Sequence, residues 1–429
     1  MSGPEFRVVR DPIWNTIRVD AIAMRIVDTA AFQRLRYIRQ LGHAHLVYPG
    51  ATHTRFDHAL GVYHLARRAL HLLDERGLLG GAAGEGAELV PYAALLHDIG
   101  HYAFSHAIEE LEPERTPGDH EAVAERFFRS EALALALAPL GEDAPGRIFD
   151  LIRGRSDAPL AGLVSGSLDL DKMEYLRRDA RFCGVPYGEV DVDRLLQGLL
   201  VLPAPESGRL EIGVDEKALS ALESLLFAKY QMFRNVYWHH AVRSATALYK
   251  RIVESAVEAE WLGPDELVGP TDEELLFRIA ERARARGAGG PLARRVTERW
   301  LPALRERRLP KRAVEIPAAD MDGGERIPEL AGDLSARRGV EDEWAVELGL
   351  EPGEVFIDFP VKPAMFQSNA LVRRSGGTVV RIGSGGIRGL IDLPALAEAL
   401  YRSARVLRVF TLERRTLDPA RVLERLSRR

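Results

Sequence analysis

The stretch LLHDIGHYAFSH, residues 95–106, decides the reading of this 429-residue chain. The apolar run from Leu89 to His97 predicts a buried helix, and His97 and Asp98 stand at its end. Imidazole and carboxylate are both ligands of divalent metals. Neighbours on a helix point about 100° apart, so such a pair converges only on a shared target, and a metal ion supplies one. A polar pair directly after AALL also needs a partner, because an unpaired buried charge is costly.

Two further segments offer matching chemistry. TRFDHALG (54–61) puts His58 near the start of a helix, and GSLDLDKMEYLRRD (166–179) puts Asp169 and Asp171 on another. Taken singly, His58 reads as a core or capping histidine and Asp171 as a cap or salt-bridge partner. Together, His58, His97, Asp98 and Asp171 make four ligands, enough to hold one ion with room left for water and substrate. These ligand types accept Mg, Mn, Fe, Co, Ni or Zn alike.

Outward from this centre, FRVVRDPIWNTIRVD (6–20) predicts a β-hairpin around Asp11-Pro12 and Asn15. Apolar periodicity predicts helices over 21–41, 57–73, 89–97, 120–128, 145–153, 167–182, 191–201 and 215–260, with a short one in YAFSHAIEELE. Residues 263–350 are charged and helical, broken at RARGAGG and AADMDGGE; FIDFP, ALVRR, GTVVRI and VLRVFTL then read as strands, with a helix at LPALAEALYRSA. The expected architecture is mainly α: a helical core over 1–262 with a small N-terminal hairpin, a charged connecting region over 263–350, and a small α/β lobe over 351–429.

Net charge is −5, so the chain as a whole is not a basic nucleic-acid binder. No apolar run reaches the roughly 20 residues of a membrane helix, and MSGPEFRVVRDP lacks a signal-peptide pattern. A cytoplasmic protein without membrane partners is expected. The one cysteine, Cys183, cannot form an internal disulfide and reads as a partly buried thiol.

The ordered pattern H…HD…D resembles the HD-domain phosphohydrolases. QRLRYIRQLG (33–42), VYPGATHTRFDHALGVYHLA (47–66), LLHDIGHYAFSH (95–106), GDHEAV (118–123) and LDLDKMEYLRRDAR (168–181) look like the deoxynucleoside triphosphate triphosphohydrolase branch, which includes bacterial dGTPases and the metazoan SAM-and-HD-domain enzyme. The resemblance is close over about the first 260 residues and only general in the terminal lobe. It implies one divalent ion per active site, an additional Mg with the nucleotide phosphates, a dNTP substrate, and a dimeric or tetrameric homo-oligomer.

His106 and Glu109, three apart, are neighbours on a helical face. A carboxylate so placed orients an imidazole and raises its pKa. The resemblance implies that this pair serves proton transfer and that His101 and His120 are active-site histidines. It assigns Arg55, Lys172, Arg178 and Lys229 to the nucleotide, and Gln40, Leu41, Tyr175, Asp179 and Tyr237 to the sugar. Without it, His106–Glu109 is a surface pair, and Tyr175 and Tyr237 are core aromatics. Asp28, Gln33, Arg36 and Arg194 match a regulatory nucleotide pocket of some relatives, although Val214 stands where a further basic residue is expected; Asp28 and Arg36 otherwise pair along their helix.

The leading expectation is hydrolysis of a dNTP to the deoxynucleoside and triphosphate. The alternatives are another HD-type phosphomonoesterase or phosphodiesterase, or a nucleotide or single-stranded nucleic-acid sensor with weak hydrolysis. The arginine-rich stretches 281–312 and 402–429 motivate the sensor.

Overall fold

A computed structural model describes residues 6–286, 289–321, 333–360, 369–382 and 392–427. The hairpin forms as expected: β1 (Arg7–Asp11) pairs antiparallel with β2 (Asn15–Val19), with Arg7 opposite Val19. Asn15 takes the left-handed conformation, φ 60°, that asparagine tolerates best among non-glycine residues.

The helix expected over 21–41 is divided. α1 (Ala21–Val27) stops, α2 (Ala30–Gln33) starts, and a 3₁₀ turn, Arg34–Tyr37, follows. Thr29 makes the break: its hydroxyl donates to the Ile26 carbonyl at 2.7 Å and accepts from the Phe32 amide at 3.3 Å, which ends one helix and caps the next.

The helices of the core then follow: α3 (Arg55–Glu75), α4 (Val90–Leu96), α5 (Ser105–Ile108), α6 (His120–Phe128), α7 (Glu131–Leu137), α8 (Ala144–Ile152), α9 (Leu170–Cys183) and α10 (Val192–Gly198). α3 lies between α4 and α9. Its buried face, including Ala59, Val62 and Ala66, shares one apolar core with Leu95 of α4 and Met173 and Leu176 of α9. This sandwich brings three segments more than 35 residues apart in sequence to one point.

The helix expected to run through residue 201 ends at Gly198, and Leu199–Pro203 is instead β3, antiparallel to β4 (Leu210–Asp215). The span 215–260 is interrupted: α11 (Leu219–Met232), a π-turn at Phe233–Tyr237, then α12 (His240–Glu258). The connecting region holds α13 (Asp272–Arg286) and a helix at Leu334–Glu347, but also the strand β5 (Lys311–Pro317).

β6 (Val355–Asp358), β7 (Leu371–Arg373), β8 (Val379–Arg381), the helix Leu393–Ala404 and β9 (Val406–Thr411) lie where expected. Neither sheet they join is built from 351–429 alone. β7 pairs parallel with β4, giving the order β3-β4-β7-β8, and β9 sits between β5 and β6. Among the described residues no helix is long and apolar enough to cross a membrane.

Candidate active site

The four predicted metal ligands come together where α3, the end of α4 and the start of α9 meet. His58 sits in the first turn of α3, behind a capping box in which the Thr54 amide donates to Asp57 at 3.0 Å. Ligand atoms of His58, His97 and Asp171 lie within 4.8 Å of one another. His58 Nε2 is 3.2 Å from His97 Nε2 and 2.9 Å from Asp171 Oδ1. Asp98 flanks them, 3.3 Å from His97 Nε2 and 3.8 Å from His58 Nε2.

The hydrogen bonds behind these ligands set their tautomers. His58 Nδ1 donates to Glu174 Oε2 at 2.6 Å, and His97 Nδ1 donates to the Ala94 carbonyl at 2.8 Å. With each Nδ1 carrying hydrogen, both Nε2 atoms present lone pairs, to each other and to a carboxylate. That arrangement repels itself unless a proton or a cation lies between, so the donor set fits a divalent metal. The electrostatics agree. Burial opposes charge on His58, yet the Asp171 and Glu174 carboxylates hold its pKa up to about 10. Burial likewise opposes ionisation of Asp98, but His97, His101 and Arg55 keep its carboxyl well below the usual range.

Glu174 was not anticipated, although Asp171 and Glu174 are three apart on one helical face, a signal the sequence did contain. It is fully buried and accepts from Trp14 Nε1 at 3.0 Å and Arg178 Nε at 2.8 Å besides His58. Gly61 makes room for it: a Cβ there would stand 2.0 Å from Glu174 Oε1.

A histidine cluster borders the metal position. His101 Nε2 donates to Asp98 Oδ1 at 3.1 Å and its Nδ1 meets Ser105 Oγ at 2.6 Å, so both ring nitrogens are engaged. His120 stacks on His101 at 3.7 Å between ring centroids. Gly100 permits this approach, since a Cβ would meet the His120 carbonyl at 1.9 Å. Glu109 joins the remaining pair, 3.1 Å from His106 Nδ1 and 2.8 Å from His120 Nδ1. Burial would raise the Glu109 carboxyl pKa, but the two imidazoles hold it far below its ordinary value. His101, His106, Glu109 and His120 themselves place ligand atoms within 4.8 Å of one another.

The residues expected at the nucleotide divide. Arg178 is corrected: its guanidinium is fully buried and paired with Glu174 and, at 2.9 Å, with Asp11, so it braces Glu174 rather than facing a ligand. Arg55 donates to Asp98 Oδ2 at 2.7 Å, while its buried Nε has no partner. Lys172 Nζ is held by Asp169 and by the Gly166 carbonyl. Lys229 is buried on α11, its Nζ 5.9 Å from the Phe233 ring centre.

Among the expected sugar residues, Asp179 accepts from His53 Nε2 at 2.8 Å and from the Tyr237 hydroxyl at 2.6 Å. His53, in the loop before α3, carried no periodic signal. Tyr175 lies 6.4 Å from the His58 ring and 6.5 Å from the Tyr237 ring, which ties it to the metal position. Gln40 has a buried Oε1 without a partner, and Leu41 packs against the core.

Of the expected regulatory residues, Arg36 donates to Gln33 at 2.8 Å and lies 3.5 Å over the Phe56 ring, while Asp28 caps the end of α1. Arg194 donates to the Lys217 carbonyl at 3.0 Å. Val214 is apolar because it is a fully buried residue of β4, opposite Leu199. The half-buried Cys183 thiol is pushed up to about 12 by burial and by Asp179, as suits an unreactive thiol.

Residues 55–176 match the HD domain and residues 190–385 the HD associated region. Fold, ligand cluster and both matches support the HD-domain phosphohydrolase family for this chain, a family of metal-dependent hydrolases. An uncharacterized protein of Methanocaldococcus jannaschii is 29% identical over 92% of this chain and 76% of its own length. Human deoxynucleoside triphosphate triphosphohydrolase SAMHD1 is 28% identical over 54% of this chain, a match that spans 42% of the human protein. Among solved structures, a phosphohydrolase from Bacteroides thetaiotaomicron superposes with a TM-score of 0.71 over 95% of this chain and 100% of that one; at 20% identity this shows the shared fold.

Proposed function

We propose that this protein hydrolyses deoxynucleoside triphosphates to the deoxynucleoside and triphosphate. The observation that carries the reading is the convergence of His58, His97, Asp98 and Asp171 beside Tyr175 and the histidine cluster. The similarity to human SAMHD1, which extends over 54% of this chain, supports the substrate class. Those four side chains would hold a divalent ion, which would activate water and polarise a phosphoryl oxygen.

The chain's own groups supply the rest. Water adds to the α-phosphorus and the bond to O5′ breaks, so O5′ must gain a proton. Glu109 engages Nδ1 of both His106 and His120, which leaves each Nε2 to give or take that proton. His106 is the more exposed, with 64% of its side chain open, and can meet an incoming nucleotide. His101, committed to Asp98 and Ser105, holds the Asp98 carboxylate in place. Tyr175, Tyr237 and Asp179 would line the sugar side.

The test is incubation with each dNTP and NTP plus Mg²⁺, Mn²⁺ or Co²⁺, with and without a second nucleotide, followed by analysis of the phosphate chain. Inorganic triphosphate from dNTPs, absent in Asp98→Ala, is the expected result. Orthophosphate alone would replace this reading with an HD-type phosphomonoesterase, and no product from any nucleotide would remove it.

A further inference from the structure

Beyond the ligand cluster lies a set of charges in which Arg243, Lys250 and Asp358 are buried and Glu110 is partly buried. Glu110 follows Glu109 at the end of α5, and its carboxylate is claimed by α12: Arg243 Nη1 and Nη2 each donate to it at 2.8 Å, and Lys250 Nζ at 2.9 Å. The same guanidinium reaches Asp358 at the end of β6, through Nε at 3.0 Å and Nη2 at 2.6 Å. Arg243 and Asp358 are 5% and 1% exposed. Two cations and two carboxylates thus balance, with Arg243 as the shared member.

The position of this set matters. α5 is four residues long, too short to be stable by itself, so its flanks decide where it sits. Of the two adjacent carboxylates there, Glu109 holds His106 and His120 while Glu110 is fastened to α12 and, through Arg243, to the β5-β9-β6 sheet. A buried ion pair is a weak device for stability alone, since apolar residues of like volume commonly do as well or better.

We propose that Arg243, Glu110 and Asp358 are positioning residues that register the Glu109–histidine group against the metal ligands, making the C-terminal sheet a part of the active-site frame. The proposal rests on the function proposed above for that group. Misplacement of reacting groups by about an ångström costs on the order of 100-fold in rate.

Two variants test it: Glu110→Ala, which leaves the Arg243–Asp358 pair intact, and Arg243→Met/Asp358→Leu, which replaces that pair with apolar side chains and so protects folding. Both are expected to lower kcat by about 10- to 100-fold, with KM and bound metal per chain unchanged. Wild-type kcat in a folded Glu110→Ala protein, or loss of metal together with activity, would overturn the proposal. If the wild-type protein hydrolyses no dNTP, the functional reading fails separately. The positioning role is then read from carbethoxylation of His120 by diethylpyrocarbonate, which should be several-fold faster in Glu110→Ala; an unchanged rate overturns it.

Discussion

Replacing Glu174 by glutamine changes one atom of a fully buried side chain, and the structure lets its effect be worked out. Glu174 accepts from three donors: His58 Nδ1 at 2.6 Å, Trp14 Nε1 at 3.0 Å and Arg178 Nε at 2.8 Å. A glutamine has one acceptor oxygen, so its NH₂ must face a donor. The conflict is relieved when His58 moves its proton to Nε2, the atom that faces His97 and Asp171. That removes a metal lone pair. Loss of such a carboxylate behind a ligating histidine weakens metal binding by about 10- to 100-fold, or about 1.4–2.7 kcal/mol. Stability also falls, because Arg178 keeps only Asp11 as a full charge partner. Breaking a buried pair costs about 3–5 kcal/mol, and the shape-conserving amide places this change near the lower end. The two effects are separable: metal affinity is read by competition with a chelator of known strength, and stability by thermal unfolding with metal in excess. A Glu174→Gln protein that melts earlier yet holds metal as tightly as wild type would refute the tautomer argument.

Gly61→Ala should reproduce part of this phenotype, since the new Cβ would drive into Glu174 Oε1. A loss of about 1–3 kcal/mol in unfolding free energy is expected from such overpacking, with weaker metal retention on dialysis. Chelator treatment should lower the melting temperature, and added Mn²⁺ or Co²⁺ should restore it, because the facing Nε2 atoms of His58 and His97 lose their shared cation. His43, buried and stacked 4.3 Å from Phe104, has its pKa lowered to about 3 by burial, with His45 and Arg39 adding to it. The unfolded chain takes up that proton near pH 6.5 while the native state does not. Stability from this group is therefore complete above about pH 6.5 and declines toward pH 3, with a slope approaching 1.4 kcal/mol per pH unit. In His43→Phe the difference between melting curves at pH 7 and pH 4.5 should shrink; an identical difference would exclude His43 as the source.

Much of the site was legible because its chemistry is local and ordered. His97-Asp98 after an apolar helix, His58 behind a capped helix start and Asp171 on a third helix can each be read from a short window, and α6 falls on the expected residues, His120–Phe128. Patterns of period 3.6 report which face of a helix is buried. They are silent about what lies across from it. Nothing local distinguished Arg178, sealed against Glu174 and Asp11, from a guanidinium open to a nucleotide.

The sequence by itself determined the donor atoms, their order and the helices that carry them, since these depend on residue type and short-range periodicity. Only the tertiary structure decided which carboxylate stands behind His58, that β7 joins β4 across more than 150 residues, and that Arg243 links α5 to β6. Strand partners and buried ion pairs are contacts between distant segments, and their energies depend on geometry and desolvation that no short window contains.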